Sequence, residues 1–289
     1  MQVVRSVSVL VFGLLLAACT ANPVQQAAPG AAPAVPAGHD NLNATVWMQT
    51  AAEYEATVRG IYAAAKRSLD AAVADPSWQA LPHGESQAGF ETKPPAIIVD
   101  ADETMIDNSA YQARNIVENR AYTADSWRDW VNAKAALAMP GAVDFANYAN
   151  RKGVPIFFIT NRDAPDETEA TIANLRALGF PIAEDGSNVM LRGDLRAPAD
   201  EKSERRRWVD RSYRVVLMLG DNLGDFLDGS RADIATREAL MAPYQNWWGE
   251  RWFMFPNPTY GSWENAVLRS CDAGLSPKEC VYTQLRHDY

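Results

Sequence analysis

Four short runs of apolar residues, spaced along the chain between segments of helical character, constrain its fold more than any other feature. The runs lie at residues 96–99, 155–159, 189–191 and 215–219. Such runs are typical of strands buried on both faces, and strands that alternate with helices form parallel sheets. The pattern therefore predicts an α/β fold, in which a Rossmann-like parallel sheet is covered by helices on both sides.

Helical material is predicted after the first apolar run, through Trp127 and Val131 and on to Tyr148, and three further segments of the sequence predict helices around this sheet. Apolar residues recur at helical spacing over residues 47–73, which predicts one long amphipathic helix in the N-terminal portion. A second helix follows the second apolar run, with acidic residues from Asp166 at its start and a left-handed cap at Gly179. A third is centred on residues 201–208, and its consecutive arginines at 205–207 are expected to form a solvated face.

The first residues of the chain resemble an export signal. Arg5 is followed at residues 7–18 by an apolar run of about twelve residues, which is too short to span a bilayer as a helix. A basic start, a short apolar core and small residues at its end predict a secretory signal peptide over residues 1–18.

The end of this signal indicates lipidation. Residues 16–19, Leu-Ala-Ala-Cys, resemble a bacterial lipobox, in which cleavage leaves Cys19 as a lipidated N-terminus; the alternative is an ordinary signal with an incidental cysteine. Thr20 is not the Asp that favours inner-membrane retention, so the outer membrane is expected. The proline-rich residues 19–44 are predicted to be a flexible tether, and residues 45–289 the folded domain.

The acidic balance of the chain excludes one class of function. With 27 Lys and Arg against 36 Asp and Glu, the formal net charge is −9. Binding to nucleic acid through a basic face is therefore not expected. The length of 289 residues suits one large domain or two small ones.

Two further cysteines lie close together in the sequence. Cys271 and Cys280 are nine residues apart with turn-forming residues between them, and an exported protein occupies an oxidising compartment. These features predict a structural disulfide, with two free thiols as the alternative. The chain has only three histidines, which argues against a catalytic Cys–His pair.

Carboxylate, hydroxyl, amide and guanidinium groups cluster just after three of the apolar runs. They are Asp100 and Asp102 after the first run, Thr160, Asn161 and Arg162 after the second, and Asp221 and Asp225 after the fourth. Ligands of open parallel sheets bind at the carboxyl edge, so we expect these residues to be gathered there. Lys202, one of few lysines, is expected to join them.

The residue types in this set indicate oxyanion chemistry with a hard metal ion. Two carboxylates in one site disfavour each other's ionisation, so one of Asp100 and Asp102 can serve as nucleophile or metal ligand and the other as general acid. Oxygen ligands suit Mg²⁺, whereas the scarcity of histidine argues against zinc. Glu103 and Asn108 are expected to be turn or cap residues, and Arg162 either an oxyanion contact or an ion-pair partner.

The longer strings that carry these residues resemble a known family. Residues 100–109 read Asp-Ala-Asp-Glu-Thr-Met-Ile-Asp-Asn-Ser, and residues 220–226 read Gly-Asp-Asn-Leu-Gly-Asp-Phe. Both are similar to the haloacid dehalogenase superfamily and, within it, to the class C non-specific acid phosphatases, which are bacterial outer-membrane lipoproteins. Shorter strings at 140–143, 160–162 and 260–264 fit the same family. The resemblance covers roughly residues 45–270 and includes the lipobox.

This resemblance implies a fold and a set of roles. The parallel sheet is expected to carry a smaller helical cap, and residues 45–289 to form an acid phosphatase domain. Asp100 is the implied nucleophile and Asp102 the implied general acid and base. The implied metal ligands are Asp100, the backbone carbonyl of Asp102, and Asp221, and Asp225 would orient the groups around the metal through waters or hydrogen bonds. The implied phosphate contacts are Thr160, Asn161 and Lys202, and the implied leaving-group contacts are Trp127 and Tyr260.

The implied function is hydrolysis of phosphate monoesters, nucleotides and aryl phosphates among them, through an aspartyl-phosphate and with Mg²⁺ as cofactor. The N-terminal lipid would anchor the protein to the outer membrane, facing the periplasm, and family members suggest a homodimer. Two other functions stay open, a phosphotransferase and a non-catalytic binding lipoprotein such as a haem-binding one.

Overall fold

The structure, a computed structural model, describes residues 39–287. The predicted signal peptide at 1–18, the lipidation site at Cys19 and the tether as far as residue 38 lie outside the described residues. The first helix begins at Leu42, inside the segment predicted to be a tether. No helix between residues 39 and 287 has the length and apolar character that a membrane crossing requires.

Helices and strands alternate along the described chain. The strands are β1 (Pro95–Val99), β2 (Ile106–Asp107), β3 (Leu137–Ala138), β4 (Ile156–Asp163), β5 (Val189–Arg192), β6 (Arg214–Gly220) and β7 (Trp252–Met254). The helices are α1 (Leu42–Thr50), α2 (Ala52–Ala74), α3 (Ser109–Val117), α4 (Ala124–Ala133), α5 (Ala142–Arg151), α6 (Thr168–Ala177), α7 (Ser203–Asp210), α8 (Leu223–Phe226), α9 (Ile234–Met241), α10 (Ser262–Arg269) and α11 (Pro277–Thr283). Short 3₁₀ helices lie at Phe90–Thr92 and Ala242–Trp247.

Five parallel strands form the central sheet in the order β5-β4-β1-β6-β7. β1 lies in the middle, where Ile97 pairs with Ile156 of β4 and Leu217 of β6. The predicted α/β fold is confirmed, and all four apolar runs are strands. The fifth strand, β7, was not predicted, because its three residues are too few to show a strand pattern.

The side chains of the sheet enter two hydrophobic layers, because successive residues of a strand point to opposite faces. Ile97 and Val99 pack into the layer to which α2 and α5 contribute Leu69 and Phe145. Ile98 faces the other layer, which contains apolar side chains of α7 and α8. Both faces of the sheet are thus covered, as wholly apolar strands require.

The N-terminal helical segment is two helices rather than the single one predicted over residues 47–73. Between α1 and α2, Ala51 adopts an extended conformation with φ −80° and ψ 125°. Across this break Trp47 packs edge-on against Tyr54, with ring centroids 5.2 Å apart. The break uses neither glycine nor proline, so the spacing of apolar residues alone does not reveal it.

The chain between β1 and α5 forms a small cap that follows the carboxyl end of β1. It contains the helices α3 and α4 and an antiparallel pair formed by β2 and β3. A capping box between Thr123 and Ser126 starts α4. Trp130 of α4 donates from its ring nitrogen to Asn108 Oδ1 at 2.7 Å, which ties the cap to the loop after β1. The structure therefore has the smaller helical portion that the family resemblance implied.

The arginines of α7 correct the prediction that residues 205–207 form a solvated face. Arg207 is exposed, but Arg205 and Arg206 are fully buried, with 0% exposure. Arg206 forms an ion pair with Glu85, with a nitrogen–oxygen distance of 2.6 Å. A buried guanidinium is tolerated when hydrogen bonds and opposite charges of this kind surround it.

A disulfide joins Cys271, just after α10, to Cys280 of α11, with Cα atoms 5.6 Å apart. The other end of α10 reaches the loop after β6, because Ser262 Oγ donates to Asn222 Oδ1 at 2.5 Å. The two C-terminal helices are therefore linked to each other at one end and to the carboxyl edge of the sheet at the other.

Candidate active site

A cavity of about 780 Å³ opens at the carboxyl edge of the sheet. Its lining contains most of the residues that the sequence predicts for a site, namely Asp100, Asp102, Trp127, Asn161, Lys202, Asp221, Asp225 and Tyr260. Thr160 is fully buried, and its hydroxyl donates to Asp102 at 3.3 Å. The parallel arrangement thus gathers residues that are far apart in the sequence at one edge, as expected.

One part of the cavity is a cluster of three carboxylates and one ammonium group. Lys202 Nζ forms ion pairs with Asp100 and with Asp225, the latter at 2.7 Å. One carboxylate oxygen from each of Asp100, Asp221 and Asp225 lies within 4.8 Å of the others. The cluster therefore has more carboxylates than cations in a poorly hydrated place.

The electrostatics of this cluster favour a bound cation. Burial raises the pKa of Asp100 to about 7, and the nearby Asp225 adds to the rise while Lys202 opposes it. Burial and the charge of Asp225 likewise raise the pKa of Asp221 well above its usual range. A divalent cation would relieve this repulsion, and carboxylate oxygens are the ligands that hard cations take. The donor set fits a divalent metal ion.

The loop after β6 holds two of these carboxylates by close packing around a glycine. A Cβ at Gly220 would lie 2.3 Å from Asp225 Oδ2, so the loop requires glycine there. Asp225 Oδ2 accepts the backbone N–H of Asn222 at 2.9 Å, and Asn222 Oδ1 in turn caps α8. Asp221 accepts from Asn257 Nδ2 at 2.8 Å. This local fold places Asp221 and Asp225 at the cavity.

Asp102, two residues after Asp100, lies in a different environment. Arg162 donates to its carboxylate from Nη2 at 2.8 Å and from Nε at 3.1 Å. Asn108 Nδ2 donates to the same oxygen at 2.8 Å. Burial would raise the pKa of Asp102, but Arg162 outweighs burial and the pKa is lowered. Asp102 is therefore held as a carboxylate, and Arg162 is its ion-pair partner.

Glu103 and Asn108 form a buried hydrogen-bonded bridge behind the cavity wall. The sequence predicted turn or cap roles for these residues and did not predict the bridge. Glu103 is fully buried and accepts from the backbone N–H of Asn108 at 2.8 Å and from the hydroxyl of Tyr260. Burial raises the pKa of Glu103 well above its usual range, which favours a protonated carboxyl. Because Asn108 also donates to Asp102, the bridge connects this carboxylate to an aromatic side chain of the wall.

Aromatic side chains form part of the cavity wall. Trp127 and Tyr260 line the cavity together with Tyr111 and Tyr122. Trp127 packs edge-on against Tyr111 with ring centroids 5.3 Å apart, and the Arg162 guanidinium lies 5.5 Å from the Trp127 ring centroid. The wall therefore offers flat apolar surface close to the polar groups at the strand ends.

Arg205 supports the loop that contains Thr160 and Asn161 from behind. Its Nη1 donates to the Thr160 carbonyl at 2.5 Å, and its Nη2 donates to Asn161 Oδ1 at 2.8 Å. This contact was not predicted, although the sequence contains a signal for it. Arg205 follows Lys202 by three residues, a spacing that places both on one side of a helix.

Comparison with known proteins identifies a family. The family model described as HAD superfamily, subfamily IIIB (acid phosphatase) matches residues 15–263. Two structures of the class C acid phosphatase from Bacillus anthracis, one of them with tungstate bound, are each 32% identical to this chain. Each comparison covers 86% of this chain and 98% of the other, with TM-scores of 0.72 and 0.73.

Curated relatives are more distant. The stem 28 kDa glycoprotein of Glycine max is 23% identical over 169 residues, which is 56% of this chain and 58% of the relative. A stem 31 kDa glycoprotein of the same organism is 25% identical over 166 residues, with the same shares covered. The chain spans little more than half the length of these curated relatives. With the family model matched over most of its length, the chain belongs to the acid phosphatases of HAD subfamily IIIB and, within them, to class C.

Proposed function

We propose that this protein hydrolyses phosphate monoesters, with Asp100 as nucleophile, Asp102 as general acid and base, and Mg²⁺ as cofactor. One observation carries the proposal: two carboxylates of low exposure, two residues apart, have opposite electrostatic surroundings. Asp100 lies in a cluster with excess negative charge, whereas Asp102 is paired with Arg162. Phosphoryl transfer through a covalent intermediate requires a nucleophile beside a cation site. It also requires a second group, in its own environment, that donates and accepts the proton.

The two carboxylates divide the reaction into two steps. In the first, an Asp100 oxygen attacks phosphorus to form an aspartyl-phosphate, and the bond from phosphorus to the ester oxygen breaks. The departing oxygen keeps the electron pair of that bond and takes a proton from Asp102. In the second, water attacks the phosphorus and gives a proton to Asp102, while the bond to Asp100 breaks and phosphate is released. Both side chains return to their starting states.

Other residues hold the phosphoryl group in these steps. Lys202, which is ion-paired with Asp100, supplies a positive charge beside the nucleophile. The Asn161 amide supplies a donor for phosphoryl oxygens, whereas the buried Thr160 hydroxyl, which was expected to do the same, donates its one proton to Asp102 and holds that carboxylate. These groups support an oxyanion site here. The similar enzyme of Bacillus anthracis binds tungstate, which is a tetrahedral oxyanion, and this supports the same proposal.

The metal would occupy the carboxylate cluster. The residues that would hold it are Asp100, Asp221 and the backbone carbonyl of Asp102, with Asp225 in support. Bound there, Mg²⁺ would supply positive charge for the phosphoryl oxygens and the nucleophile. The excess of carboxylates over cations in the cluster supports this assignment.

The environment of Asp102 supports activity at acidic pH. Its burial works toward a higher pKa, but Arg162 prevails and lowers the pKa. The protonated form, which the leaving oxygen requires, is therefore populated only as the pH falls.

The cavity supports nucleotides and aryl phosphates as substrates. Its volume of about 780 Å³ is in the range of pockets for small organic ligands and exceeds the needs of phosphate alone. Trp127, Tyr111 and Tyr260 offer aromatic surface for a base or an aryl ring.

The location and the assembly of the protein are proposed from the sequence. The lipobox at residues 16–19 supports lipidation of Cys19 and anchoring to the outer membrane, facing the periplasm. The family resemblance supports a homodimer. Incorporation of labelled palmitate by the wild type, lost in Cys19→Ser, tests the first proposal, and light scattering of the purified protein tests the second.

Turnover of a chromogenic aryl phosphate with Mg²⁺ tests the activity. Asp100→Asn is expected to lower kcat by about 10⁴-fold or more, because an amide is a poor nucleophile. Asp144→Asn is the matched control, since its carboxylate is 70% exposed on α5 and, among residues 39–287, forms its one salt bridge with Lys66; it should keep full activity. A fully active Asp100→Asn would contradict the proposal. No turnover by the wild type would indicate a binding lipoprotein, and transfer to added alcohols a phosphotransferase.

A further inference from the structure

Arg205 is a fully buried cation behind the cavity, and within residues 39–287 it takes part in no salt bridge. Its hydrogen bonds go to the Thr160 carbonyl at 2.5 Å, to Asn161 Oδ1 at 2.8 Å and to the Asp200 carbonyl at 3.0 Å. Burial lowers its pKa to about 10, which leaves it charged at neutral pH. A buried cation without a salt-bridge partner is costly; the charges of Asp100 and Asp225 offset part of this cost, and an anion bound nearby would stabilise the guanidinium further.

The contact between Arg205 and Asn161 determines which way the Asn161 amide points. A guanidinium has only donors, so the amide oxygen must face Arg205. The amide nitrogen, with its two N–H groups, is then directed away from Arg205. Since Asn161 lines the cavity, this orientation offers the cavity a donor rather than an acceptor. A donor suits a phosphoryl oxygen, which accepts hydrogen bonds.

We propose that Arg205 is a positioning residue for phosphate recognition, which holds the Thr160 carbonyl and orients the Asn161 amide as a donor toward the phosphoryl group. The proposal deepens the proposed function and rests on it. Arg205 does not line the cavity itself, so it acts through these two residues and through its buried positive charge.

Competitive inhibition by inorganic phosphate and by tungstate, measured on the full chain with Mg²⁺, tests this role. Arg205→Met is expected to raise both inhibition constants and KM about ten- to a hundredfold, because one charge-assisted network is lost. The effect on kcat should be smaller, since the nucleophile and Lys202 remain. Arg205→Lys keeps the charge but not the fork of donors, and it should recover only part of the affinity.

A double-mutant cycle separates positioning from general support. In the Asn161→Ala background, Arg205→Met should raise the phosphate inhibition constant much less than in the wild type, because the amide it orients is already absent. Should Arg205→Met fold poorly, Arg205→Lys in both backgrounds measures the same coupling. Equal effects of the Arg205 substitution in the two backgrounds would overturn the proposal.

Arg214 provides a matched control at the other end of the sheet. It is also buried and donates to three backbone carbonyls, those of Ala72, Asp75 and Trp78, from the start of β6. Both arginines have an Nε atom without a hydrogen-bond partner. Arg214→Met should lower the melting temperature but leave the phosphate inhibition constant unchanged. Equal losses of phosphate affinity in Arg214→Met and Arg205→Met would show a structural role and overturn the proposal.

The wild type distinguishes this inference from the proposed function. A wild type that neither hydrolyses the ester nor binds phosphate contradicts the proposed function. A wild type that does both, alongside a folded Arg205→Met with the same inhibition constant, contradicts only the role of Arg205.

Discussion

Asp100 and Asp102 leave the same strand end, yet their surroundings are opposite. Asp100 shares one ammonium group, that of Lys202, with other carboxylates, and burial raises its pKa to about 7. Asp102 has the guanidinium of Arg162 beside it, and its pKa is lowered although burial opposes the change. Both side chains are poorly hydrated, so the difference comes from the neighbours and not from exposure.

The position of β1 in the sheet explains these different neighbours. β1 lies between β4 and β6, so its carboxyl end faces a different loop on each side. The loop after β6 brings Asp221 and Asp225 to Asp100, whereas β4 brings Thr160 and Arg162 to Asp102. A central strand can therefore support two distinct chemical roles within three residues, which an edge strand, with one neighbour, cannot do in this way.

Removal of the metal should give the largest effect, because it leaves the carboxylates around Asp100 uncompensated while the carboxylate of Asp102 keeps its partner Arg162. After treatment with EDTA, hydrolysis should be lost almost completely and should return with Mg²⁺. Affinity for inorganic phosphate should fall as well, because the uncompensated carboxylates repel an anion. Activity that persists when elemental analysis finds no metal would contradict the proposed role of the cluster.

Loss of the carboxyl at Asp102 should have the next largest effect. Asp102→Asn is expected to lower kcat by about 10²- to 10⁴-fold, the usual range for general acid catalysis. The loss should be greater for alkyl than for aryl phosphates, since a poor leaving group depends more on protonation. A melting curve must accompany the kinetics, because Arg162 loses its partner. Equal losses for both classes of ester would show that Asp102 does not protonate the leaving oxygen.

The sequence predicted those parts of the molecule that depend on local pattern. The four longer strands and the edge where Asp100 and Asp221 meet follow from apolar runs and from the residues just after them. The burial of Arg206 was not predictable in this way, because its partner Glu85 lies 121 residues away. Likewise, the break at Ala51 has no helix-breaking residue to mark it.

A smaller effect is expected on the stability of the metal-free protein. The pKa of Asp100 is about 7 in the folded protein, against a usual value of 3.8. Between about pH 4 and pH 7 the folded state retains a proton that the unfolded chain has released. The free energy of unfolding should therefore fall as the pH rises, by about 1.4 kcal/mol for each pH unit. Urea denaturation in EDTA at pH 4, 5.5 and 7 measures this. Mg²⁺ or Asp100→Asn should make the decline shallower without abolishing it, because the raised pKa values of Asp221 and Glu103 contribute to it as well. A decline as steep in Asp100→Asn as in the wild type would contradict the raised pKa of Asp100.

The smallest effect should come from making the surroundings of Asp102 more like those of Asp100. Arg162→Met removes the cation that lowers the pKa of Asp102, while burial, which raises it, remains. Because the leaving oxygen needs protonated Asp102, the alkaline limb of the profile of kcat/KM against pH should move to higher pH by about one unit. Arg162→Lys keeps the charge and should move it less. If both variants keep the wild-type limb, the group that titrates there is not Asp102, and the two carboxylates do not divide the reaction as proposed.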